Sequence, residues 1–344
     1  MKRIISFLVL TIAVSAMPSA ACTSLVASGK ATADGRPMLW KHRDTGAAHN
    51  YLERIPASVP GEFTYVGLFN QGDTLHREAW TGMNEVGFAI MNTASYNLAP
   101  DTAKVADREG VVMALALRKC RTVADFANML DSLPRPMGVQ ANFGVIDAAG
   151  NAAYFETWDH GYKPYYIGGE GEPTALVRTN FSVSGNDSTG MGYIRYDNAH
   201  FLLDSVVEAS VLTPEDCIDR ASRSFYHSLI GYDVLNATPN AAWAVDQDFI
   251  PRYTSTASIV IVGVKDGENP DGTIMQARLG YPPVAEKYTV KVNDVPADLR
   301  PLLPGDRCRA CAESQERKAK AFPIRRGSGK RYVDLDYIRS LQIR

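Results

Sequence analysis

Ala20-Ala21-Cys22-Thr23-Ser24-Leu25-Val26-Ala27-Ser28, then Ala33-Asp34-Gly35-Arg36-Pro37, then Met38-Leu39-Trp40-Lys41-His42-Arg43-Asp44 is the stretch around which the chain is organised. The first run is rich in strand formers, the Asp-Gly pair marks a turn, and the third run resumes an extended segment. The pattern predicts a hairpin whose first strand begins at Cys22. What precedes it has the form of an export leader. Lys2-Arg3 is a basic start, Ile4 to Val14 is an apolar run, and Ser19 and Ala21 are small residues at the third and first positions before a cut at Ala21–Cys22. The run is too short to span a bilayer, and no later stretch is apolar for long enough. Residues 1–21 are therefore expected to be removed, leaving a soluble, exported chain.

A chain that begins at Cys22 carries a thiol nucleophile and a free amine base in one residue. The thiol has an ordinary pKa of about 8.5. A terminal amine, at roughly 7.7–8.0, accepts its proton near neutrality. A rival comes from another class: a Cys directly after a signal is also where bacterial lipidation occurs. That pathway usually has Leu where this chain has Ser19, so a lipid-anchored, non-catalytic surface-binding protein ranks second.

Of 344 residues, 45% are hydrophobic and 22% charged, enough apolar material for one large domain or two intimate ones. The formal net charge of −2 becomes two units more negative once Lys2 and Arg3 leave, so no basic excess points to nucleic acid. There are five cysteines. An odd free Cys22 leaves Cys308 with Cys311 and Cys120 with Cys217 as candidate pairs in an oxidising compartment. No further Cys or His stands near Cys308 and Cys311 in sequence to suggest zinc, and the histidines show no ligand pairing. A Gly-x-Ser-x-Gly elbow is lacking, and Gly327-Ser328-Gly329-Lys330 does not have Walker spacing.

Along the chain, strands are expected at Phe63–Phe69, His76–Thr81 and Gly87–Asn92, with Asn84-Glu85-Val86-Gly87 as a turn. Helices follow at Gly110–Cys120 and Thr122–Leu133, ended by Pro134 and Pro136. A hairpin is expected over Ala141–Thr157 and a strand at Leu176–Phe181. A helix should follow within Gly190–Ser210, and another should start at Thr213-Pro214. Late strands are expected at Ser255–Val264 and Glu286–Val292, separated by an Asp/Gly/Pro loop. Residues 306–344 carry 11 Lys/Arg against five Asp/Glu and read as a solvated, basic C-terminal extension. The alternation of sheet and helix pair predicts an α+β domain over residues 22–305 with antiparallel sheets covered by helices.

Five pieces in order resemble one family. They are Cys22-Thr23-Ser24-Leu25 with Ala33–Arg36 and Trp40–Asp44, the pair Gly82–Asn92, the hairpin Phe143–Glu156, the strand Val177–Phe181, and Arg195-Tyr196 with Ser255–Val262. Together they are similar to cysteine N-terminal-nucleophile hydrolases of linear amides. That group includes bile-salt hydrolases, penicillin V acylases, isopenicillin N acyltransferase-like enzymes and a dipeptidase branch. The resemblance covers about residues 22 to 265.

It implies a four-layer αββα sandwich, a small-molecule amide substrate, and no cofactor or metal. Cys22 would be the nucleophile, with Asp44 beside its amine. Lys41 would stand near the thiol where bile-salt hydrolases have Arg, with Arg43 as an alternative. The oxyanion hole would be the backbone N–H of Asn92 and the side-chain amide of Asn180. Ile259 departs from the Arg that bile-salt hydrolases place there, which favours the acyltransferase-like branch. Asn84, Glu85 and Arg178 read as structural. Tyr51, Phe63, Tyr65, Phe69 and Tyr96 are candidate pocket aromatics. The sequence leaves the acyl group, the acceptor and the oligomeric state open, a homo-oligomer included.

Overall fold

The computed structural model describes residues 21–98, 106–236, 241–325 and 331–342, so the expected leader lies outside the described residues apart from Ala21. In chain order the main elements are β1 (Ala21–Ala27), β2 (Met38–Asp44), β3 (Asn50–Ile55), β4 (Tyr65–Asn70), β5 (Thr81–Asn84) and β6 (Ala89–Ala94). Then come α1 (Glu109–Lys119), α2 (Val123–Ser132), β7 (Ala141–Ile146), β8 (Ala152–Trp158), β9 (Gly161–Ile167), β10 (Ala175–Arg178) and α3 (Tyr193–Glu208). The last are β11 (Ser255–Val262), β12 (Ile274–Leu279), β13 (Tyr288–Val290), α4 (Arg309–Ala321) and α5 (Leu335–Gln342).

One antiparallel sheet has the order β10-β1-β2-β11-β12-β13, and a second is a meander from β3 to β9. The sheets face each other, with β1 and β2 against β6 and β7. Helix α1 packs on the outer face of the meander and α3 on the outer face of the other sheet. The result is the expected order of layers, αββα. It explains why β1 and β2 are buried at every position: each is covered on both faces. Alternation divides their side chains. Val26 and Leu39 enter the core between the sheets. Leu25, Ala27, Met38 and Trp40 enter the core under α3.

The expected β1–β2 hairpin is present, and its register sets Cys22 opposite Arg43 and Ser24 opposite Lys41. Its turn uses Gly35 at φ 76, the left-handed region that Gly enters without steric cost. Several expectations differ in detail. Within His76–Thr81 only Thr81 is in a strand, and β3 and β9 lie in stretches without an expected strand. Strand β12 occupies what reads as a loop, because Gly272 before it and Gly280 with Pro282-Pro283 after it are turn residues. After Thr213 the chain forms a short π turn and a 3-10 turn instead of a regular α-helix.

The basic C-terminal stretch is folded onto the body. Cys308, Ala310 and Cys311 join the inter-sheet core, while Ala321, Phe322, Val333, Leu335 and Ile338 build a third core with Phe225, Phe249 and Tyr281. All five cysteines are thiols. Cys120 and Cys217 lie in different cores and cannot meet, whereas Cys308 and Cys311 both reach the start of β3, at the carbonyls of Asn50 and Ala48.

Candidate active site

Cys22 is the second residue of the buried strand β1, and its side chain is only 5% exposed. Directly paired residues of adjacent strands share a face, so the thiol stands on the side of β2 that carries Arg43 and Lys41, looking toward the meander. Both cations are held. Arg43 donates through Nη2 to Asn70 Oδ1 at 2.9 Å and through Nη1 to Asn50 Oδ1, and it lies 4.9 Å from the centroid of the Trp80 ring. Lys41 Nζ donates to the Trp80 carbonyl at 2.6 Å and to Asn92 Oδ1 at 2.5 Å. Ile259 of β11 pairs with Lys41 and adds an apolar wall. Burial pushes the Lys41 ammonium down to about 8, against the pull of the neighbouring Cys22.

Asn180 closes the other side. Its Oδ1 accepts the backbone N–H of Cys22 at 2.8 Å, and its Nδ2 donates to the Ala94 carbonyl at 2.8 Å. The sequence assigns no site role to Arg195, which completes this corner. From the first turn of α3 its Nη2 donates to Asn180 Oδ1 at 2.7 Å, and its Nη1 donates to Thr23 Oγ1 at 3.0 Å and to the Cys22 carbonyl. The guanidinium is buried, so it is desolvated and works entirely through these acceptors. Gly192 makes room: a Cβ there would come 2.4 Å from Arg195 Nη2, and its φ is 87.

Asp44 is opposite Ala21, not Cys22, so its side chain lies on the other face of β2, with His42. Ser255 Oγ donates to its Oδ1 at 2.5 Å, and Arg252 Nη2 donates to its Oδ2. With the Ser255 proton engaged there, His42 Nε2 is the donor to Ser255 Oγ at 2.8 Å. Burial pushes His42 down to about 4, so the ring is neutral at pH 7. The group directly bonded to the Cys22 nitrogen is Asn180, and Asp44 is paired with Ala21, the residue before Cys22.

Asn84 and Arg178 are structural, as read. Asn84 binds the end of α1 at the Leu117 and Cys120 carbonyls, and Arg178 pairs with Glu156 at 2.9 Å. Of the candidate aromatics, Tyr51, Tyr65 and Phe69 are core. Tyr96 is partly exposed and close enough to Cys22 to feel its charge. A cavity of about 500 Å3 opens there, lined by Tyr96, Asn97, Leu98, Ser184, Gly185, Asn186 and Thr189. Asn97 ties its two walls together through both backbone groups of Ser182, two residues after Asn180. A larger cavity of about 740 Å3 lies at the far end of β1 around Ser28 and Gly29, about 20 Å of strand away from Cys22. Among the described residues no helix is long and apolar enough to cross a membrane, and no group of three or more His, Cys, Asp or Glu is placed to hold a metal.

No protein-family model matches the sequence, and no curated protein matches it. In structure the chain is similar to an N-acylethanolamine-hydrolyzing acid amidase ortholog of Caenorhabditis elegans at 14% identity and a TM-score of 0.46, over 70% of this chain and 92% of that one. It is also similar to penicillin V acylase from Agrobacterium tumefaciens, at 15% identity and 0.45, over 80% and 87%. A third likeness is to a variant of conjugated bile acid hydrolase from Clostridium perfringens, at 10% identity and 0.46, over 80% and 94%. The layer order and the geometry around Cys22 stand independently of these distant matches.

Proposed function

We propose that this chain is an exported cysteine N-terminal-nucleophile amidohydrolase. It would cleave linear amides outside peptide backbones, such as N-acyl amino acids, conjugated bile acids or penicillin-type amides. The observation that carries the reading is the setting of Cys22: its nitrogen on Asn180 Oδ1, its thiol on the face of two buried cations. Cleavage at Ala21–Cys22 turns that nitrogen into an amine, and loss of Ala21 leaves Asp44 as the carboxylate nearest to it along the hairpin. The amine takes the thiol proton, and Lys41 and Arg43 favour the thiolate.

The thiolate attacks the amide carbonyl. The oxyanion is received by the Asn92 backbone N–H and by the side-chain amide of Asn180. The amine passes its proton to the leaving group, and water then cleaves the thioester. A second amine in place of water would make the same site an acyltransferase.

The test is an amide-release assay of the processed protein across N-acyl amino acids, conjugated bile acids, penicillin V and dipeptides, beside Cys22→Ala. At least one amide should be cleaved, and Cys22→Ala should abolish cleavage while melting normally. Full activity in Cys22→Ala would refute the assignment.

A further inference from the structure

Glu109 has no part in the thiol, amine or oxyanion assignments, yet its carboxylate is sealed in the interior at the first residue of α1. Its Oε2 accepts from Asn92 Nδ2 at 2.5 Å, and Asn92 Oδ1 accepts from Lys41 Nζ at 2.5 Å. The direction of this chain follows from chemistry. An ammonium has no acceptor, so Asn92 must offer it Oδ1 and turn Nδ2 toward Glu109, which gives the amide one workable orientation. Glu109 enforces it. Turned over, the amide would present N–H groups to the ammonium.

We propose that Glu109 is a positioning residue for the nucleophile: through Asn92 it fixes the Lys41 ammonium on the Cys22 face of β2 and keeps it charged. The proposal rests on the reading of Cys22 as the nucleophile. The charged and titratable neighbours can be named. Lys41 is faced by Cys22 from β1, by Arg43 on its own strand and by Glu109 from α1. Glu109 is faced by Lys41, by Asp107 from the turn before α1 and by Tyr96 from the segment after β6. Arg43 is balanced in turn by Glu78. Burial opposes charge on both groups, raising the Glu109 carboxyl and lowering the Lys41 ammonium, and each charge favours the other. Removing the carboxylate lets Lys41 lose its proton at lower pH, and the thiolate loses its cation.

The probe is iodoacetamide, so the test needs no knowledge of the substrate. Alkylation of Cys22 in the processed protein is followed by mass on the tryptic peptide Cys22–Lys30 from pH 5 to 9, for wild type, Glu109→Gln, Lys41→Met and the double variant. Glu109→Gln should move the midpoint up by about one pH unit and slow alkylation at pH 7 about tenfold. Lys41→Met should do the same, and the double variant should show no further shift.

A Glu109→Gln profile that superimposes on wild type, even with a lower melting temperature, overturns the proposal. So does a Glu109→Gln shift that persists in the Lys41→Met background. Should Glu109→Gln fail to fold, Asn92→Ala breaks the link with both charges in place; it should give the same shift, and an unshifted profile refutes the relay. Amide release surviving in Cys22→Ala would sink the nucleophile reading separately, and the thiol titration would still decide the role of Glu109.

Discussion

Asn180→Asp separates the two halves of one side chain. The acceptor half, Oδ1, holds the Cys22 nitrogen at 2.8 Å and Arg195 Nη2 at 2.7 Å, and a carboxylate keeps both bonds. The donor half, Nδ2, bonds the Ala94 carbonyl at 2.8 Å and is the proposed source of an oxyanion proton. A carboxylate has no such proton and places negative charge where negative charge must develop. Losing the bond to Ala94 leaves a buried carbonyl facing a carboxylate oxygen and costs about 1–3 kcal/mol. The charge on the buried Arg195 offsets part of it, so unfolding stability should fall by no more than about 3 kcal/mol. Loss of one oxyanion donor costs about 3–4 kcal/mol of barrier, or 10²–10³ in kcat. The assay is kcat on whichever amide the release panel identifies, with urea unfolding in parallel. A variant that folds as wild type and retains kcat within tenfold would refute the donor role.

Three further expectations concern the supports of the site and the C-terminal core. For His42→Gln, stability is compared with wild type across pH. The folded pKa of about 4 lies below the ordinary 6.5, so His42 contributes stability that is present above pH 6.5 and lost as pH falls toward 4. The wild-type advantage should shrink by about 3 kcal/mol across that window, and parallel curves would contradict the linkage. Gly192→Ala introduces both a Cβ at 2.4 Å from Arg195 Nη2 and a strained φ, so urea unfolding should show a loss of about 1–3 kcal/mol with reduced turnover; an unchanged midpoint would remove Gly192 from the account. Ile338→Ala, in the buried face of α5, should cost about 2–5 kcal/mol, which a solvated tail would not show.

How far the fold could be read depended on where the pattern was local. Strands β1 and Ser255–Val262 announce themselves because covered strands need unbroken apolar or small residues, whereas β2, which ends in Lys41-His42-Arg43-Asp44, is found from the Asp34-Gly35 turn before it. Strand β12 hides because its short alternating run is set among the Gly and Pro residues that mark a loop. The C-terminal charge count points to solvent, but α4 packs through Ala310, Cys311, Ser314, Lys318 and Ala321, a helical stripe, with Lys318 4.3 Å from the centroid of the Tyr253 ring.

In the site, Lys41, Asn92 and Asn180 come together around Cys22, while Asp44 lies on the adjacent face. Arg195 and Glu109 take their roles only through contacts with residues distant in sequence, at the starts of helices α3 and α1. A weak signal did exist for Arg195: Gly190-Met191-Gly192 directly before its helix leaves space that a large side chain fills.

The central claim is that Cys22 is a chain-terminal nucleophile. The most direct measurement is an acid quench of the processed protein during turnover of a cleaved amide, followed by mass analysis of its N-terminal tryptic peptide. The expected peptide begins at Cys22, ends at Lys30 and carries the acyl group of the substrate as a thioester. A peptide that begins upstream of Cys22, one that bears a diacylglyceryl mass, or an acyl group found on another residue would contradict it.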